Sequence, residues 1–425
     1  MCRGKVIADV LIHNLTSAVL FPRPYKGRGT PVSWNAEELS SLSIAGHQGR
    51  IAWVGPADQV SNRLELLPEA ELINGHGLTA VPGFVDAHTH LVYAGDRSHE
   101  FEMRVQGRSY LDILAAGGGI LKSVESVRSL SEDALYQESF EKVWKLIEWG
   151  VTTLEIKSGY GLDLESELKM LRVIGRLRDQ LPIAIVPTFM GAHAVPKEFK
   201  ETPEVFTEQI CKQWLPEIAR QGIAIFNDVF CENKAFNLEQ SRRILEAGKR
   251  CGLKPKIHAD EITVLGGVDL AVDLGCVSAD HLLKTDSGGI HKMIGSGVIP
   301  VLLPGTSTYL METHHARARA MIDAGLPVAI ASDYNPGSCQ FYASGILQTL
   351  AMLQLRMSAT EALMAATLHA AFAVGLGHEC GVIEVGRRLD VALLRTGSFR
   401  EVGYRAGENL VETVIAGGVP IYCRE

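Results

Sequence analysis

The chain lacks any apolar run of the roughly 18 residues that a membrane-spanning helix requires, so none is expected. Its eight cysteines in 425 residues are scattered. None forms Cys-x-x-Cys, which argues against a zinc knuckle and a disulfide framework and for reduced thiols. A surplus of one charge is missing too. Lys and Arg total 41 against 49 Asp and Glu, for a formal net charge of −8, with neither sign in blocks. Nucleic acid and anionic membrane surfaces are therefore not expected partners. An anionic substrate must then be held by a local cation. There is no tandem repeat and no low-complexity tract. The opening "MCRGKVIADVLIHNL" carries Asp9 and His13 inside its apolar stretch and reads as a strand, not a signal peptide, so a cytoplasmic protein is expected.

What is present is a periodic alternation of short apolar runs and amphipathic stretches from about residue 78. Eight runs can be counted: "LTAVPGFVDAH", "GVTTLEIKSG", "IAIVPTFMGAH", "IAIFNDVFCE", "LKPKIHAD", "VSADHL", "VIPVLLPG" and "LPVAIASDYNPG". Between them lie stretches such as 131–150 and 238–252, each with a Gly where a helix would stop. Eight strand–helix units predict an α/β fold with a (β/α)8 TIM-like barrel over 78–377; an open doubly wound sheet is the competing topology. Strand-like segments at 1–77 and 378–425 predict one small discontinuous β-sandwich-like domain built from both termini. The segment 358–377 reads as a long helix leading back to it.

Barrel chemistry sits at the C-terminal ends of the strands. Polar residues gather there: His88 and His90, Lys157 with Tyr160, His193, Asp228 with Glu232, His258 with Glu261, His281, and Asp333 with Asn335. His88 and His90, one residue apart in "GFVDAHTHLVYAGDR", share a strand face. With His258 and Asp333 they make a plausible set for Zn²⁺ or Fe²⁺. A neutral His281 can polarise a carbonyl or move protons. Glu261 can face the pocket from three residues beyond His258. Arg97, seven residues past His90, can grip a carboxylate bidentately. Tyr110, Tyr160 and His193 can add hydrogen bonds. The adjacent His314 and His315 of "THHARARA" read as surface residues of a helix, facing apart.

These strings resemble a known family. "PGFVDAHTH", "KIHADE", "ADHL" and "IASDYNPGS" are similar to the metal-site strands of the amidohydrolase superfamily. "HTHLVYAGDRSHEFEMRVQGRSYLDILAAGGGI", "KSGYGLD", "GAHAVP", "DVFCE" and "LLPGTS" look closer still to the branch that opens an imidazolone ring in histidine degradation. The resemblance runs from about 78 to 345. It implies a barrel with a mononuclear zinc or iron site (Zn²⁺, Fe²⁺ or Fe³⁺) whose ligands match His88, His90, His258 and Asp333. It implies substrate contacts at Arg97, Tyr160, His193, Glu261 and Asn335, with Gly337 and Ser338 adding backbone contacts. His281, Glu261 and Asp333 would then act on protons and the developing charge. The fourth strand ends without the lysine that bridges two metals in many relatives, so a single ion is expected. "CENKAF" departs from the family pattern in a loop only. The implied activity is hydrolysis of the cyclic amide of 4-imidazolone-5-propanoate to N-formimidoyl-L-glutamate, by a chain that could form a homodimer. The alternatives are a heterocycle deaminase of the same superfamily and a non-catalytic barrel homologue.

Overall fold

The computed structural model describes residues 5–108, 112 and 117–425. Eight parallel strands follow one another in a single order: Phe84–Asp86, Val151–Lys157, Ala184–Ala192, Phe226–Cys231, Ile257–Ala259, Ser278–His281, Ile299–Leu302 and Ala329–Ile330. The first and last are joined by an isolated parallel bridge between Thr89 and Tyr334. Two further backbone bonds stitch this seam, Asp333 N–H to His88 O (3.0 Å) and His90 N–H to Tyr334 O (3.0 Å). The barrel is thus nearly closed, and the end of its last strand lies beside the end of its first. An open sheet would keep them apart.

The strands read as they do because both faces are covered; all seven residues of Val151–Lys157 are buried. The helices outside are set by their ends. Ser131 accepts from Ala134 N–H, and Asn237 with Gln240 forms a reciprocal capping box. Gly150 and Gly252, at φ 88° and 86°, turn the chain out of its helix.

Two expectations need correction. Residues 358–377 are not one helix but two short ones, Ala359–Ala365 and Leu368–Ala373. The Ala366 carbonyl at the break accepts the Val85 N–H of the first barrel strand (2.9 Å), a bond an unbroken helix would not offer. His314 and His315 lie in irregular chain, because the helix there begins only at Ala318.

The remaining strands form two sheets. One, of six strands, runs Val419–Cys423, Val411–Ala416, Val391–Leu394, Thr79–Pro82, Ser17–Leu20 and Glu37–Ser40; the other, of four, runs Arg50–Pro56, Leu42–His47, Val6–His13 and Leu64–Asn74. Both termini contribute. Ile12, Ile44 and Ile51 of the four-stranded sheet share a buried cluster with Ala80, Val391 and Ile415 of the six-stranded one, the face-to-face packing of a sandwich. Thr79–Pro82, the start of the first apolar run, pairs in this sheet, and the barrel begins at Phe84. The seven cysteines among the described residues are free, and none of the described helices is long and apolar enough to cross a membrane.

Candidate metal centre

Asp86 ends the first barrel strand and locks the seam, accepting from Ser332 N–H (3.0 Å) and Oγ–H (2.5 Å). Just beyond it, His88 and His90 turn inward with ring centroids 5.3 Å apart. His258 lies within the fifth strand, Ile257–Ala259, its ring 4.5 Å from His88 and its Nε2 3.4 Å from His90 Nε2. From beyond the eighth strand, Asp333 brings Oδ1 to 3.5 Å from His88 Nε2 and 3.8 Å from His90 Nε2. The four residues that sequence paired as ligands therefore converge. His281 joins them, 5.0 Å from His258 and 5.4 Å from His88 between ring centroids. Asp260, His281, Leu282 and Asp333 have φ of 54°, 76°, 55° and 52°. Non-glycine residues adopt this left-handed region at a cost, and such strain clusters where side chains must be aimed.

Burial, followed by the charges of neighbouring Lys157 and histidines, holds His88 and His90 far below the usual imidazole range; burial and His258 do the same for His281. These rings are neutral and can offer lone pairs. Carboxylates behind His88 and His258 decide which nitrogen faces the centre. Asp280 lies 2.7 Å from His88 Nδ1, and Asp228 lies 3.2 Å from His258 Nδ1. Each accepts a hydrogen bond from Nδ1–H and leaves Nε2 free for the centre. Thr306, in the first turn after the seventh strand, fixes Asp333 by donating Oγ1–H to Oδ2 (2.7 Å).

Under the histidines lies a charged floor. Lys157 Nζ contacts Asp228 (2.8 Å), Glu155 (2.9 Å) and Asp280 (3.6 Å), and Lys256 Nζ contacts Glu155 (2.8 Å) and Asp280 (3.9 Å). Burial works against the Lys157 charge, yet Asp228, Glu155 and Asp280 outweigh it and hold the ammonium firmly protonated. Lys157 therefore belongs to the floor, not to the mouth where sequence grouped it with Tyr160. By formal charge, three carboxylates face two ammonium groups in this floor.

This arrangement suits a divalent cation. His88 Nε2 is buried with no hydrogen-bond partner among the described residues. The Nε2 atoms of His90 and His258 face each other at 3.4 Å across the same space. A cluster of His88, His90 and Asp333, with ligand atoms within 4.8 Å of one another, is able to hold a metal ion, as is one of His88, His258 and His281.

Other predicted residues line the approach. His193 stacks on His90 (4.7 Å, 20°) and bonds the Gly159 carbonyl through Nδ1 (3.1 Å); burial lowers its pKa to about 3. The ring of Tyr160 stands 5.5 Å from His193 and 5.9 Å from His90, and burial raises its hydroxyl pKa. Glu261 Oε2 lies 3.6 Å from His281 Nδ1. Burial, reinforced by Asp333 and Glu232, pushes its carboxyl to about 8; burial lifts Asp333 to about 7. Both are placed to carry a proton near neutral pH. The guanidinium of Arg97 meets Glu100 through Nε (3.0 Å) and Nη2 (2.7 Å), which leaves Nη1 beside Gly337. The Asn335 amide engages its own loop: it donates to Asp333 O and Ser338 Oγ and accepts from Gly337 and Ser338 N–H. Tyr110 lies outside the described residues.

Sequence reasoning did not single out Asp280, Glu155, Lys256, Thr306 or Glu100. Asp280 had a signal, since it directly precedes His281 in "ADH" at a strand end. Thr306 stood inside the quoted "LLPGTS".

A sequence profile of the Amidohydrolase family matches residues 79–420. The chain is 47% identical over 389 residues to the imidazolonepropionase of Geobacillus kaustophilus (strain HTA426), covering 90% of this chain and 92% of that one. It is 47% identical over 381 residues to the imidazolonepropionase of Geobacillus thermodenitrificans (strain NG80-2), covering 89% and 90%. Among solved structures, a zinc-bound adenosine deaminase from Xanthomonas campestris superposes with a TM-score of 0.71 at 17% identity, over 98% of this chain and 93% of that one. At that identity the likeness concerns the fold.

Proposed function

The chain belongs to the amidohydrolase family and, within it, to the imidazolonepropionases, and from that premise we propose how its site works. The reading is a metal-dependent hydrolase that opens the ring amide of 4-imidazolone-5-propanoate to give N-formimidoyl-L-glutamate. The observation that carries it is the convergence of His88, His90, His258 and Asp333 over a charged floor, with Arg97 on the adjoining loop.

In this reading those four residues hold one zinc or iron ion. Such an ion supplies Lewis acidity and brings the pKa of a water to about 7. The chain's own groups do the rest. Asp333, buried at the centre and fixed by Thr306, accepts the proton of the attacking water. His281 faces the carbonyl oxygen and steadies the negative charge that grows there. Glu261, protonated below about pH 8, can deliver a proton to the departing ring nitrogen. Arg97 takes the propanoate tail through the guanidinium edge that Glu100 leaves open, and so fixes which ring atom sits over the centre. Tyr160 and His193 line the ring. A chain of this activity belongs in the cytoplasm.

The test is metal content measured together with the loss of imidazolone absorbance on adding protein. One ion per chain with consumption of the imidazolone supports the reading. Two ions per active chain would remove its mononuclear part. An inactive metal-loaded protein that releases ammonia from heterocycles would make it a deaminase.

A further inference from the structure

The segment that follows the first barrel strand brings a second guanidinium, that of Arg104, to Gly337 beside Arg97. Arg97 stands at the start of the helix Ser98–Val105, and Arg104 lies seven residues on, two turns along the same face. The two guanidinium groups meet at one residue. A Cβ placed on Gly337 would fall 2.1 Å from Arg97 Nη1, and Arg104 Nη2 donates to the Gly337 carbonyl (3.2 Å). Only glycine leaves the guanidinium of Arg97 its place there.

The bonding account is incomplete on the arginine side. Glu100 occupies Nε and Nη2 of Arg97. Nη1 of Arg104 is buried and has no hydrogen-bond partner among the described residues. A buried guanidinium N–H left unpaired costs free energy that an incoming acceptor recovers. Burial lowers the pKa of Arg104 and the charge of Arg97 lowers it further, with Glu100 offsetting part. By formal charge, Arg97 and Arg104 set two guanidinium groups against the one carboxylate of Glu100 at Gly337.

We propose that Arg104 is a second specificity-determining residue: with Arg97 it forms a clamp, closed over Gly337, that receives the carboxylate of the substrate's tail. The proposal rests on the reading that the substrate is a small acid opened at the metal centre. It assigns Arg104 a direct contact with the tail oxygen, through the Nη1 that has no hydrogen-bond partner among the described residues. Arg97 and Arg104 would then share the carboxylate, one oxygen facing each, while Glu100 holds Arg97 at the correct angle. Two charged N–H donors, one from each guanidinium, favour a carboxylate over a neutral tail of the same size.

The test uses the metal-loaded full chain with the imidazolone acid and with its tail amide, an uncharged analogue. Arg104→Met should raise KM for the acid about tenfold and leave KM for the amide within about twofold, with unchanged metal content. Arg104→Lys keeps the charge without the fork and should fall between wild type and Arg104→Met. Arg97→Met with Arg104→Met should abolish the preference for the acid. Equal changes on acid and amide would mean that Arg104 only holds the Gly337 loop, and the clamp would be wrong. No change on either substrate would overturn it as well. Wild type that leaves the imidazolone acid untouched would remove the functional reading itself, and the clamp with it, before any variant is compared.

Discussion

His88 and His369 are both completely buried, both are held well below the ordinary imidazole range by burial, and both have an Nε2 without a hydrogen-bond partner among the described residues. What lies behind and around them differs. His88 Nδ1 meets the Asp280 carboxylate at 2.7 Å, and three further donor residues share its Nε2 space. His369 Nδ1 meets the Val328 backbone carbonyl at 3.1 Å, inside a nest of rings where Trp34 stands perpendicular at 4.4 Å and Tyr25 at 5.9 Å. Lost basicity and an idle nitrogen are therefore the common consequence of burying an imidazole. Convergent donors and a backing carboxylate are what distinguish a ligand from a packing residue.

The strongest way to break that comparison is at the centre. His258→Ala should lose metal and activity together, whereas His369→Phe should lose neither; elemental analysis alongside turnover decides this. A His258→Ala protein with full metal occupancy would remove it from the ligand set. Asp280→Asn acts one step behind, and should cost 10- to 100-fold in metal affinity or activity. Next comes His281, which shares the pocket but is expected to act on the substrate. His281→Ala should keep its metal and lose roughly 10²-fold or more in kcat. Metal loss in that variant would place His281 among the ligands. Smaller again is Arg97→Ala, where one charge-assisted contact costs about 1.5–3 kcal/mol in binding. KM for the imidazolone acid should rise, and discrimination against an uncharged tail should shrink, with the remainder carried by Arg104. Equal discrimination by wild type and variant would show that Arg97 does not read the carboxylate.

The barrel was legible because its signal is local and repeated: each apolar run and each terminal Gly sits where a strand or a helix end was expected. The convergence of His88, His90, His258 and Asp333 was legible because strand ends share one face of a barrel. What escaped depends on contacts between strands. Asp280 and His281 are neighbours that simple alternation sends to opposite faces. In the structure a left-handed φ of 76° at His281 turns it toward the centre while Asp280 backs His88. Lys157 was grouped with the mouth because it ends its strand; three buried carboxylates draw it into the floor instead. The break near Ala366 had no Pro or Gly to announce it, since its cause is the Val85 N–H from another part of the chain.

His369 offers the mildest test, one that should leave catalysis alone. Its folded pKa is lowered to about 4 by burial, which the Val328 carbonyl only partly offsets. In the unfolded chain the same imidazole titrates near 6.5. Between these values the unfolded state binds the proton and the folded state does not, so stability must fall as the pH drops through 6.5 toward 4. Above 6.5 the neutral ring contributes fully. From pH 7 to pH 5 the loss from this one group amounts to about 2 kcal/mol, at 1.36 kcal/mol for each unit. Other buried histidines add to the acid lability of the wild type, so the informative quantity is a difference. His369→Phe keeps a ring against Trp34 and Tyr25 and removes the titration. Its denaturant midpoint, followed at constant metal loading, should decline less than that of the wild type between pH 7 and pH 5, while kcat/KM at pH 7 stays level. Parallel declines would mean that His369 finds a proton-accepting partner at acid pH, and its contrast with His88 would rest on the backing carboxylate alone.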